Sequence, residues 1–154
     1  MINMLKKILN ELNLKFTIKE NASDQYISLT YEKEDIFNEL IRYNVLIFAD
    51  VSVNAVSFYV PAIYPIGNRD NKTIDLTVLK EKIEYINEKN LYGMLTVKNN
   101  REVVYDYSFV FIDNHEYLKE VMVVIFDYID FIVYEVGLLT NPYISLHEFI
   151  SIRE

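Results

Sequence analysis

Residues Thr73 to Phe111 read TIDLTVLKEKIEYINEKNLYGMLTVKNNREVVYDYSFVF. In the first third, Leu76, Leu79, Ile83 and Ile86 recur at three- and four-residue steps while Lys80, Glu81, Lys82 and Glu84 take the other side. That spacing predicts an amphipathic helix, with Thr73 or Asp75 as its N-cap. The helix leaves through Ile86-Asn87-Glu88-Lys89-Asn90-Leu91-Tyr92-Gly93 into Met94–Lys98 and Arg101–Phe111, both rich in β-branched and aromatic residues. Asn99-Asn100 between them suits a two-residue turn, because Asn tolerates positive φ. The span therefore predicts helix, hairpin and then a further helix, and it contains no catalytic or metal-binding constellation.

Working outward, Met1 to Leu12 has the helical spacing of a surface helix and lacks the features of a signal peptide. Leu14–Asn21 and Tyr26–Glu32 alternate with the two-residue period of half-buried strands, joined by a turn at Ala22-Ser23-Asp24. Lys33–Ile41 is too short to stand as a helix and reads as one helical turn or a connecting loop. Val45–Phe48 and Ala55–Val60 are two more apolar strands, and Pro61 and Pro65, which supply no amide donor, are expected to end the pairing. Gly67 to Lys72 is the clearest polar loop.

The last long helix is expected from about Asn114 to Val136. Its core stripe is Leu118, Val121, Met122, Ile125, Ile129, Ile132, Val133 and Val136. A second stripe of Tyr117, Val124, Tyr128 and Phe131 runs on the flank beside it, making the apolar arc wider than one sheet contact needs. Gly137 is expected to end this helix in the left-handed conformation, with Pro142 preventing its resumption. The segment Val121–Leu139 is hydrophobic, but Asp127 and Asp130 would each cost ~2.5–3.5 kcal/mol at a bilayer centre, so no transmembrane helix is expected.

The 154 residues, 51% of them apolar, fit one globular α+β domain with a mainly antiparallel sheet. There are 13 Tyr and 9 Phe but only 3 Gly and 3 Pro, so loops should be short and Asn/Asp-rich. The absence of Cys removes disulfides, thiolate nucleophiles and Cys metal sites, and fits a cytoplasmic location. The net charge is −8, and between Glu102 and Glu148 the only base is Lys119. With no basic stripe to neutralise phosphates, nucleic acid is not expected as a partner.

Chemistry-bearing residues are sparse. His115 and His147 each lack the neighbouring histidine or cysteine that a metal site at helical spacing needs. There is no nucleophile elbow, no phosphate-cradling glycine loop and no dinucleotide fingerprint, so no cofactor is expected. Asp127 and Asp130, one turn apart, could form a carboxylate pair, but solvation on the polar face of the helix explains them as well. In the hairpin, pairing of Lys98 with Arg101 puts Met94, Thr96, Val103, Tyr105, Tyr107, Phe109 and Phe111 on one face. The other face then carries Leu95, Val97, Val104 and Val110 among Glu102, Asp106 and Ser108. Leu95, Val97 and Val104, with Tyr117, Val124, Tyr128 and Phe131, are therefore the candidate protein interface.

The helix Ile74–Glu88, the Asn87-Glu88-Lys89-Asn90 exit, Leu91-Tyr92-Gly93-Met94, the Asn99-Asn100 turn and Val103-Val104-Tyr105-Asp106-Tyr107 together resemble the YbjN-like domain family. The fold of that family is similar to that of the type III secretion chaperones. The resemblance extends from about Leu5 to Val136, with Lys33–Arg42 as an apparent insertion and Asn141–Glu154 as a C-terminal extension. It implies an α-β-β-β-α-β-β-α order, frequent homodimers, no catalytic residues and a role in binding proteins. The leading expectation is thus a non-enzymatic interaction protein, chaperone-like or a regulatory adaptor. Alternatives are an acidic immunity- or inhibitor-type protein that masks a basic effector, and a hydrolase of unrecognised type.

Overall fold

A computed structural model describes the chain except for Ser23, Ile66, Gly67, Asp70, Asn71, Leu91 and Arg101, and gives only the backbone for the other residues between 62 and 73. The elements are α1 (Ile2–Glu11), β1 (Thr17–Asn21), β2 (Asp24–Glu34), β3 (Leu40–Asp50), β4 (Ala55–Pro65), β5 (Asn68–Arg69), β6 (Lys72–Thr73), α2 (Leu76–Glu88), β7 (Met94–Lys98), β8 (Glu102–Val110), α3 (His115–Thr140) and α4 (Leu146–Arg153). Six strands form one antiparallel sheet in the order β1-β2-β3-β4-β8-β7, and β5 pairs with β6 alone. Helices cover one face. The core between the layers joins Leu5, Ile8 and Leu9 of α1, so that helix is half core and half surface, with Ile27, Val45, Phe58 and Tyr105 of the sheet and the stripe of α3. Among the described residues no helix is long and apolar enough to cross a membrane.

The α+β class and the antiparallel sheet agree with the sequence reading; several details differ. Four long strands precede α2, where the family order has three. Within Lys33–Ile41 only Asp35–Glu39 is a connecting loop, because β2 and β3 stay paired from Tyr26–Phe48 to Glu34–Leu40. The tight turn between them is held by the Asp35 carboxylate, which accepts from the amides of Phe37 (2.8 Å) and Glu39 (2.9 Å). This turn docks on α3, where Ile36 N–H donates to the Tyr134 carbonyl at 2.9 Å. Gly137 sits under it, inside the helix rather than at its end. A Cβ there would lie 2.7 Å from Asp35 Oδ2, so close approach explains this glycine.

Pro61 has half of its expected effect. Pairing between β3 and β4 stops at Leu46 opposite Tyr59, but β4 continues along β8 to Pro65 through a register shift between Val60 and Tyr64. The polar loop expected at Gly67–Lys72 contains the short β5–β6 pairing; Gly67, Asp70 and Asn71 lie outside the described residues, as does Ser23 of the expected β1–β2 turn. Left-handed positions usually taken by glycine fall to Asn13, Asn38, Asn54, Asn99 and Asn100, as the shortage of glycine suggested.

The hairpin register is a correction with consequences. Lys98 pairs with Glu102; Arg101, its expected partner, lies outside the described residues. Thr96 therefore faces Val104, and Leu95 and Val97 face Tyr105 and Val103. Since side chains alternate across a strand, this one-residue slip moves all of β7 to the opposite face from that expected.

Candidate functional site

The seven residues expected to form an interface separate into two groups. Leu95 is completely buried against the helical layer, and Val97 packs on the same core. Val104 points to the other side of the sheet and is 4% exposed. Neither sheet face thus offers these residues to a partner as a patch. The α3 residues are arranged differently. Tyr117, Val124 and Phe131 are 46%, 40% and 48% exposed at seven-residue steps, while Tyr128 is half-buried between them.

Beside this flank the helical layer has a gap. The core-facing side of α3 packs over β2 and β4 and meets α1 and α2, while α2 packs on β7. The end of β8 runs on past the last β7 pair at Asp106, and its helix-side residues Tyr107 and Phe109 form the floor of a groove of 490 Å³. Tyr117, Val121 and Val124 make one wall, with Tyr92 and Ile112 also lining it and Glu120 as the only charged residue among the described lining residues. The floor is built of aromatic contacts. Tyr92 meets Tyr107 edge-on with ring centroids 6.3 Å apart, Tyr107 and Phe109 are 6.0 Å apart, and Tyr128 approaches both Tyr92 and Tyr105 at 6.1 Å. Burial pushes the Tyr128 hydroxyl up to about 12, with Arg153 and a side-chain hydrogen bond with Asn90 opposing.

The corner at residues 87–93 fixes this geometry. Asn87 at the end of α2 accepts from Leu95 N–H and donates to the Leu95 carbonyl, both at 2.9 Å. Its carboxamide thus occupies the outward-facing backbone pair at Leu95 on β7, which is an edge strand. Asn90 Nδ2 donates to the Gly93 carbonyl at 2.9 Å, and Tyr105 OH donates to the Tyr92 carbonyl. Gly93 has φ +98°, and a Cβ on it would lie 2.5 Å from the Asp106 carbonyl oxygen and 2.7 Å from the Tyr105 ring. Only glycine fits this bend.

Comparison with family models, curated proteins and solved structures finds no match for this chain.

The other groups singled out from the sequence are placed apart from the groove. Asp130 forms an ion pair with Lys33 of β2, while Asp127 is exposed. His115 bridges Glu11 and Glu116, each at 3.0 Å, at the junction of α1 and α3. Desolvation works against the Glu11 carboxylate, but Lys119 at 3.3 Å and His115 outweigh it and lower its pKa. His147 is exposed on α4. Among the described residues no cluster of three or more His, Cys, Asp or Glu could hold a metal ion. On the helix-free face of the sheet, a wider groove of 760 Å³ is lined by Asp24, Asp50 and Asp106 with Phe48 and Tyr59, and Lys98 donates to the Tyr59 hydroxyl at 3.4 Å. Ser57 and Ser108 within it are bonded to each other at 2.7 Å.

Besides Asp35, one more ionisable side chain is buried against the sequence expectation. Lys82, assigned to the polar side of α2, is wholly buried. Its ammonium donates to the carbonyls of Leu138 (3.2 Å), Leu139 (3.4 Å) and Asn141 (3.4 Å) at the end of α3. A cation is also favoured there by the helix dipole. Desolvation nevertheless lowers its pKa to about 8, with Glu148 opposing. The tail completes the enclosure. A Ser145–Glu148 capping box starts α4, Phe149 is fully buried 5.5 Å beneath the ammonium, and Arg153 pairs with Glu135. The C-terminal extension is therefore packed into the domain.

Proposed function

We propose that this chain is a non-enzymatic protein-interaction module, a chaperone-like or regulatory adaptor of the cytoplasm that holds a partner segment in the groove between α3 and the end of β8. The observation that carries the reading is the gap in the helical layer, bordered by exposed Tyr117 and Val124 and continued along α3 by Phe131. Exposed apolar surface of this extent is costly unless something covers it. The helix, hairpin and long-helix order, and the family resemblance that rests on it, support the same reading. The finer label, a secretion-chaperone-like fold of the YbjN-like kind, belongs to this proposal, with one strand more than the family order has.

The test is affinity capture from the native cell with wild-type protein and with Val124→Asp and Phe131→Asp, combined with light scattering of the purified protein. A partner retained by wild type and lost by both variants supports the reading. Equal capture by all three proteins overturns it. Homodimerisation through the same flank would appear as a doubled mass abolished by either variant.

A second reading is favoured by the helix-free face. Three aspartates around this groove, against the single neighbouring Lys98, suit an acidic immunity- or inhibitor-type protein that covers a basic effector. Binding on that face would weaken steeply with ionic strength and be insensitive to Val124→Asp.

A further inference from the structure

We infer that the segment seated beside α3 is an amphipathic helix of another protein, with basic residues flanking its apolar stripe. This rests on the reading that the groove is the docking surface, and three observations specify the occupant. First, the vacancy lies in a layer made of helices, on the same side of the sheet as α1, α2 and α3, so a further helix would complete the layer. Tyr117, Val124 and Phe131 repeat every two turns, ~10.5 Å apart, which matches apolar residues recurring at heptad spacing on a facing helix.

Second, on the outermost strand, β7, Asn87 already occupies the outward N–H and C=O of Leu95, so strand addition there would have to displace a carboxamide that satisfies both groups.

Third, charge argues against a second copy of this chain. Glu116, Glu120 and Asp127 are exposed along the outer side of α3. Of the nearby cations, Lys119 is turned to the other flank and paired with Glu11 at 3.3 Å, and Arg153, over the Phe131 ring at 5.8 Å, is paired with Glu135. Two copies packed through this stripe would bring acidic rims together, whereas Lys or Arg beside an apolar stripe would neutralise them.

Two synthetic three-heptad helices with Leu at the apolar positions test this, one flanked by Lys and one by Glu, together with a scrambled peptide of the Lys composition. Binding is read by fluorescence anisotropy against wild type, Val124→Asp and Val123→Asp, the last adding the same charge outside the groove. The Lys helix should bind wild type at least about tenfold more tightly than either other peptide. Val124→Asp should remove that advantage and Val123→Asp should retain it. Equal binding of the scrambled peptide, or indifference to Val124→Asp, would overturn the inference. A dimer abolished by Val124→Asp would overturn it in favour of a second copy. If native capture depends on Val124 while the Lys helix fails to bind, the groove remains the docking surface and the helical, basic occupant falls. If both fail, both fall.

Discussion

Replacing Lys82 separates two effects that oppose each other in the folded chain. Its ammonium closes the end of α3 through three carbonyls, and a well-formed hydrogen bond from a charged donor contributes ~1.5–3 kcal/mol net. Its pKa falls from the usual 10.5 to about 8, which sets the net cost of keeping it charged at about 3 kcal/mol at neutral pH. Between those values the unfolded chain binds more protons than the folded one, so the unfolding free energy rises with pH through this window. Integrated from pH 7 to about 9.5, the gain is about 2 kcal/mol, or ~4–8 °C in Tm for a domain of this size. Tyr31, Tyr43, Tyr105 and Tyr128, all raised by burial, act in the opposite direction only as pH passes the ordinary tyrosine range near 10. Lys82→Met keeps most of the stem's packing and should remove this rise, with stability at pH 7 within about 1.5 kcal/mol of wild type. Lys82→Ala also empties the site and should cost about 3 kcal/mol. Urea unfolding at pH 7, 8, 9 and about 9.5 is the assay. A wild-type stability that is flat or falls over this range, or a Lys82→Met variant with the wild-type slope, would refute the reasoning.

Gly93→Ala should lose about 3 kcal/mol in chemical denaturation, because positive φ and the approach of the Asp106 carbonyl and Tyr105 ring leave no space for a methyl group. Gly137→Ala pushes against Asp35 and Phe37 and should cost ~1–3 kcal/mol, with faster amide exchange in the β2–β3 turn than in the rest of the sheet. Asn87→Ala leaves the Leu95 N–H and C=O without their side-chain partner and should cost ~1–3 kcal/mol; a Leu95 amide whose exchange is unchanged would contradict this assignment.

The broad architecture was readable because it rests on periodicity. Leu118, Met122, Ile125, Ile129 and Val133 mark the core side of α3, and all are buried. The exposed flank of Tyr117, Val124 and Phe131 could be found in the same way, since a helix with too wide an apolar arc leaves part of it uncovered. The hairpin register was misread because turn chemistry was given more weight than side-chain alternation. Matching Leu95 and Val97 to Tyr105 and Val103 by apolar character would have indicated Lys98 opposite Glu102. Lys82 was misread by residue type. It lies three residues after Leu79 and four before Ile86, on their face of the helix, and position was the better guide. Asp35 could not be read at all from local pattern, because its burial depends on a turn meeting Gly137 about a hundred residues away in sequence.

Hydrogen exchange on the protein purified together with its native partner tests the groove most directly. The account predicts slowed exchange at residues 107–110 and 117–124 relative to the free protein, with β1 unchanged. Slowed exchange confined to β1, or to Phe48, Asp50 and Tyr59 on the helix-free face, with the groove unaltered, would contradict it.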